Sequence, residues 1–108
     1  MAQKRMLDKK ISLSEKVSDL DTLGQLLYTW LIPHADDFGL LQGSPKTIKA
    51  QVVPMINTTL ETIGNQLETM QKVGLIKGFQ YDGKPFYYIV DFEKNQTLKK
   101  DRNPQTIF

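Results

Sequence analysis

The sequence predicts an α+β fold, a few packed helices followed by a two-stranded hairpin, and three observations carry that expectation. First, Leu60, Ile63, Leu67, Met70 and Val73 recur at spacings of three and four, while Glu61, Thr62, Asn65, Glu68, Thr69 and Lys72 fall on the opposite side. That is the pattern of one amphipathic helix with a core face and a polar face. Second, Gly74 follows the last periodic residue as a helix stop, and Leu75 to Tyr81 and Lys84 to Phe92 are rich in aromatic and β-branched residues around Asp82 and Gly83. An Asp-Gly pair accepts the positive φ angles of a tight hairpin turn. Third, Val17, Leu20, Leu23, Leu26, Leu27, Trp30 and Leu31 trace an earlier apolar stripe to Ile32, and Pro33 ends it.

Taken in order, residues 1 to 10 show no sustained periodicity and read as an arm or a short edge strand. Ser12 with Glu15 has capping-box spacing for the first helix, and Asp21 is placed to recap a longer piece from Thr22 to Ile32. Ala35, Asp36, Asp37, Phe38 and Gly39 have turn chemistry, and Leu40 and Leu41 leave the turn as a very short strand. Ser44 as N-cap and Pro45 in the first helical position open the next helix, which runs to Val53 and stops before Pro54. After a tight connection to Asn57, Thr58 with Glu61 offers a second capping box for the helix that ends near Lys72. Helix, short strand, helix, helix and hairpin in that order make a winged helix, with a two-stranded wing at the C-terminal end and flanking arms. Leu20, Leu23, Leu27, Trp30, Ile48, Val52, Leu60, Ile63, Leu67 and Ile76 are expected to share one core. The division is residues 1–92 for the winged-helix domain with its N-terminal basic arm, and 93–108 for an extended basic tail or a linker to a further domain.

At 108 residues the chain is about one domain, large enough to bury roughly 60 to 70% of its unfolded surface. It has no cysteine, which removes disulfides, thiolate metal sites and cysteine nucleophiles together and suits a cytoplasmic location. No segment approaches the ~20 apolar residues of a membrane span, and the basic start is not followed by a signal-peptide core. The formal net charge of +2 is modest, but it is unevenly placed. Residues 1–16 carry five cations against two acids, and residues 93–108 carry four against two. Residues 17–92 carry five lysines against eight acids, so basic arms flank an acidic middle.

The basic arms favour DNA as a partner, with the arms reaching phosphates and the third helix lying in the major groove, whereas the acidic middle favours a protein–protein assembly module. Thr59, Thr62, Asn65, Gln66, Thr69 and Lys72 are the candidate groove residues. Lys4, Arg5, Lys9, Lys10, Lys46, Lys49, Lys84, Lys99, Lys100 and Arg102 are the candidate phosphate contacts. The competing reading is a solvated polar face, and Glu61 and Glu68 favour it because each sits badly in the field of a duplex. In the wing, Lys77 and Lys84 stand beside Tyr81, Tyr87 and Tyr88, aromatics that fit hairpin core and cross-strand pairs better than nucleic-acid contacts. Trp30 reads as core and Tyr28 as lying near the edge of the stripe. His34, Asp36 and Asp37 have the residue types of a metal site, yet three ligands within four positions after a proline make a better turn than a cage. There is no nucleophile motif and no Gly-rich phosphate loop, so neither an enzyme nor a bound cofactor or metal is expected.

The same residues resemble a known family, the N-terminal winged-helix domains of phage and prophage replication-initiation proteins, replisome organisers related to the DnaD primosome proteins. The resemblance rests on Lys10, Ile11 and Ser12; Leu26, Leu27 and Tyr28 leading to Ala35, Asp36, Asp37 and Gly39; and Ser44, Pro45 and Lys46 with Ile48 and Lys49. It continues through Val73, Gly74, Leu75 and Ile76, the hairpin Tyr81, Asp82, Gly83 and Lys84, and a tail of Phe92, Lys94, Gln96, Lys100, Asp101, Arg102 and Pro104. It implies binding of double-stranded DNA, with single-stranded DNA as an alternative, during replication initiation. It further implies self-association and recruitment of a helicase or helicase loader by a more C-terminal domain outside these 108 residues. A protein–protein assembly module and a transcriptional regulator are the other uses of such a domain. Met6, Leu7, Ile11, Leu98, Ile107 and Phe108 are apolar residues in otherwise polar arms, and they are expected to pack on the domain or on a second copy in a homodimer or higher oligomer.

Overall fold

The computed structural model describes residues 7–92. Within them the order is α1 (Glu15–Ser18), α2 (Thr22–Leu31), β1 (Leu40–Gln42), α3 (Pro45–Gln51), α4 (Leu60–Lys72), β2 (Ile76–Tyr81) and β3 (Lys84–Ile89), with 3₁₀ turns at Lys9–Leu13 and Ile32–His34. This is a mixed α+β fold with a three-stranded antiparallel sheet. The expectations placed on Lys4, Arg5, Met6, Leu98, Lys99, Lys100, Arg102, Ile107 and Phe108 lie outside the described residues.

The stripe beginning at Val17 is shared by two helices, with the recap at Asp21 that the sequence offers. Ser14, not Ser12, caps α1 by accepting from the Val17 N–H, and Asp21 caps α2 by accepting from the Gly24 N–H at 2.8 Å. The break at residues 19–21 resets the helical phase. Gly24, Leu27, Tyr28 and Leu31 become the buried set of α2, and Trp30 turns outward, 41% exposed. Counting the stripe straight through the break had put Trp30 inside and Tyr28 at the edge; the recap reverses them. Lys9 and Lys10, expected in an arm or edge strand, open a 3₁₀ turn over Lys9–Leu13 that is capped by Asp8, and Ile11 packs against the core.

The helix α4 starts one residue later than its Thr58–Glu61 spacing implies. Thr59 is the N-cap, its hydroxyl accepting from the Thr62 N–H at 3.1 Å. Leu60 is thus the first helical residue and is 48% exposed instead of sharing the core. Ile63, Leu67 and Met70 are fully buried and face α2 and α3; each removes about 1.5–3 kcal/mol of apolar exposure from water. Gly74 closes the helix at φ 86°, with its own N–H bonded to the Gln71 carbonyl and the Leu75 N–H to the Met70 carbonyl. Ser44 and Pro45 open α3 as expected, and Val52 and Val53 behind it are buried.

The strand β3 lies between its neighbours, in the order β1-β3-β2. Asp82 at φ 53° and Gly83 at φ 74° make the two-residue turn of the hairpin. Register puts Ile76 opposite Ile89 and Leu41 opposite Tyr87 on the side that meets the helices. Phe79 opposite Phe86 lies on the other side, with ring centroids 5.7 Å apart and stacked. The strand stops at Ile89, and Phe92 beyond it is buried, 1% exposed.

Gly39 joins the sheet to the end of the chain's helical half. It sits at φ 85°, its carbonyl accepts from the Ile89 N–H, and a Cβ there would lie 2.6 Å from the Phe92 Cβ. Gly39→Ala should therefore cost more than about 2 kcal/mol in urea denaturation, through both left-handed strain and displacement of Phe92. An alanine variant with an unchanged midpoint would show that this approach is loose.

Candidate nucleic-acid interface

The outward face of α4 is built from Glu61, Asn65, Glu68 and Lys72, spaced four, three and four apart and all exposed. Two carboxylates and one ammonium give it a net charge of −1, with the Asn65 amide between the acids. The other polar residues expected in a groove are engaged within the helix layer. The Thr59 hydroxyl caps α4 and contacts the Thr62 hydroxyl at 2.9 Å, and the Thr69 hydroxyl donates to the Asn65 carbonyl at 3.0 Å. Gln66 turns to the side and donates from Nε2 to the Asp21 carboxylate at 2.8 Å, while its Oε1 fills the space that a Cβ on Gly24 would take. It ties α4 to the capped start of α2. Sequence periodicity carries no sign of a bond across 45 positions; the small residue at Gly24 is the only local trace of the close approach.

The cations are dispersed. Lys46 is exposed on α3, whereas Lys49 is half-buried and donates to the Pro54 carbonyl at 3.2 Å, closing the end of α3. Lys9 and Lys10 are exposed on the first 3₁₀ turn. Lys77 and Lys84 are exposed on the sheet face that also carries Phe79, Tyr81 and Tyr88, as the pairs Lys77–Tyr88 and Tyr81–Lys84 require. The wing aromatics divide between the two sides, and the Phe79–Phe86 stack is the cross-strand pair that hairpin chemistry favours.

The turn from Ala35 to Gly39 is more deeply placed than its composition suggests. Asp36 and Asp37 are both fully buried. Asp36 accepts from the N–H groups of Phe38 at 2.8 Å and Leu40 at 2.9 Å, and its own N–H reaches the Leu40 carbonyl. His34 is exposed, so the three residues do not converge, and among the described residues no group of three metal-binding side chains comes together. A cleft of about 210 Å³ lies between the first 3₁₀ turn and the core, with Ile11, Tyr28, Ile32, Leu75, Asp91 and Phe92 in its walls. Burial, and secondarily the charge of Asp91, push the Tyr28 hydroxyl above the ordinary tyrosine value of 10.0. Burial alone raises Tyr87.

The chain matches no family model, no characterised protein and no solved structure. No helix among the described residues is long and apolar enough to cross a membrane.

Two outcomes follow from this geometry. Gln66→Ala should lower stability by about 0.5–1.5 kcal/mol through loss of the bond to Asp21, whereas Asn65→Ala on the exposed face should change it by less than about 0.5 kcal/mol. Equal losses in thermal melts would contradict the separation of the two roles. Because Tyr28 holds its proton more tightly folded than unfolded, its contribution is complete below the unfolded value near 10.0 and is lost as pH rises through the folded value. Tyr28→Phe should accordingly flatten the fall of stability above pH ~10, measured by denaturant titration at a series of alkaline pH values.

Proposed function

We propose that this chain is the DNA-binding winged-helix domain of a phage-type replication-initiation protein of the replisome-organiser kind, cytoplasmic and without enzymatic activity. Helix, strand, helix, helix and hairpin, with the central position taken by the last strand, supports the winged-helix reading. The resemblance of the sequence motifs supports the replication role. It also supports double-stranded DNA as the partner, a homodimeric or higher assembly, and a helicase or helicase loader engaged through a further C-terminal domain.

The observation that carries the DNA reading is the burial of Asp36 and Asp37. Residues 17–92 hold eight acids and five lysines, a sum of −3 that argues against a polyanion partner. Two of those acids are buried, so six acids and five lysines of that segment remain to meet a partner directly. Such a surface, beside a basic N-terminal arm, is a workable one for DNA. Affinity then resides in Lys4, Arg5, Lys9 and Lys10, with Lys46, Lys72 and Lys84 as supplementary contacts and Asn65 as the base-reading candidate on α4. The alternative, a winged helix used as a protein-assembly module, draws on Glu61 and Glu68, which stand on the α4 face that a groove would receive.

The test is titration of the full chain with labelled duplex at several salt concentrations. Each phosphate contact contributes roughly 0.9 to the slope of log affinity against log salt, so replacing Lys4, Arg5, Lys9 and Lys10 by Ala should lower the slope by about two to three. Asn65→Ala should leave the slope alone and, where it reads a base, relax discrimination by about 1–3 kcal/mol at one position. Absence of salt-dependent binding to duplex at low ionic strength transfers the assignment to the assembly module.

A further inference from the structure

We propose that the cleft between the first 3₁₀ turn and the core is a binding site for an uncharged, single-ring organic compound, held by a hydrogen bond from the Tyr28 hydroxyl to an oxygen on its substituent. The inference is independent of any DNA role.

Size sets the first limit. The cleft measures about 210 Å³. Roughly 150 Å³ of apolar cavity accommodates one benzene ring, whereas drug-sized ligands fill about 300–1,000 Å³. One ring with a short substituent is the size that fits. The walls suit such a ring: Ile11 comes from the 3₁₀ turn, and Ile32, Leu75 and Phe92 come from the buried core. An aromatic ring seated among them withdraws its own apolar surface and theirs from water.

Polarity sets the second limit. Tyr28 lines the same cleft and is 8% exposed, and its hydroxyl makes no hydrogen bond with another described residue. Asp91, also in the wall, acts on that hydroxyl through its charge, which sets the hydroxyl on the side of the ring that faces the cleft. A buried hydroxyl left without a partner costs free energy, and an accepting oxygen on a ligand removes that cost. Neighbouring polar groups are committed or solvated. Asp8 accepts from the Lys10 N–H and Ser14 from the Val17 N–H, while Lys10 and Lys16 are exposed and keep their ammonium groups in water.

Charge sets the third. Among the described residues, the charged members of the wall are Asp8 and Asp91 against Lys10 and Lys16, two of each sign. Neither an anion nor a cation meets an excess of opposite charge there, so a charged occupant loses hydration without recovering it. An uncharged alcohol, phenol or amide on one ring satisfies all three limits.

The experiment titrates the full chain with benzyl alcohol, followed by ¹H–¹⁵N NMR. Saturable shifts should appear at the amides of Ile11, Gly74, Leu75 and Ile89, with ring-proton NOEs to the Ile11, Ile32 and Leu75 methyl groups. Tyr28→Phe should weaken benzyl alcohol by about two- to tenfold, the worth of one hydrogen bond, and should leave toluene binding unchanged. Benzoate and benzylamine should both bind more weakly than benzyl alcohol. Shifts that do not saturate, or NOEs to other methyl groups, would reject the site. Equal weakening of benzyl alcohol and toluene by Tyr28→Phe, or no weakening of either, would remove the hydroxyl from the recognition. Tighter binding of benzoate or benzylamine would overturn the uncharged class. Should Tyr28→Phe not fold, the NOEs and the ranking of the four probes on the unaltered chain decide the matter.

Discussion

The fold depends first on how the Asp36 carboxylate organises the corner between α2 and β1. One oxygen receives two backbone N–H groups, and the backbone of the same residue bonds across the turn to Leu40, so the chain reverses within five residues. Gly39, held at the tip, then offers its carbonyl to Ile89. A single side chain thereby registers the helical layer against the central strand. Without it, β1 has three residues and little of its own to fix its place on β3. Neutral turns do the same task with less energetic risk; a carboxylate gives stronger, charge-assisted bonds at the cost of withdrawing a charge from solvent.

Much of the architecture was legible in the sequence because its signals are local. Ser44-Pro45, Asp82-Gly83 and Gly74 each act through their own backbone, and each stands where its chemistry implies. Leu40 and Leu41 form their strand, and Ile48, Val52, Ile63, Leu67 and Ile76 are core. Less legible was phase. Threonines at 58 and 59 compete for the same cap, and the one-residue difference moves Leu60 to the surface. The pause between α1 and α2 is shorter than a turn, yet it rotates everything after it and exchanges Trp30 for Tyr28.

The candidate interface was less legible than the fold, for a physical reason. Polar residues on a helix look alike in sequence whether they meet solvent, a ligand or another helix. Gln66 and Lys49 differ from Asn65 and Lys46 only through partners far off in the fold or beyond the helix end. The depth of Asp36 and Asp37 was equally hidden, since turn chemistry gives acids a role without saying how much water they keep. That depth keeps both carboxylates away from any surface that a partner could touch.

The close of α4 at Gly74 has a mechanical meaning. Three residues separate the last helical residue from the first of β2, and both N–H groups that leave the helix are tied back to it. The end of α4 and the first residue of β2 are therefore riveted together, so that any rotation of the helix carries the root of the hairpin with it.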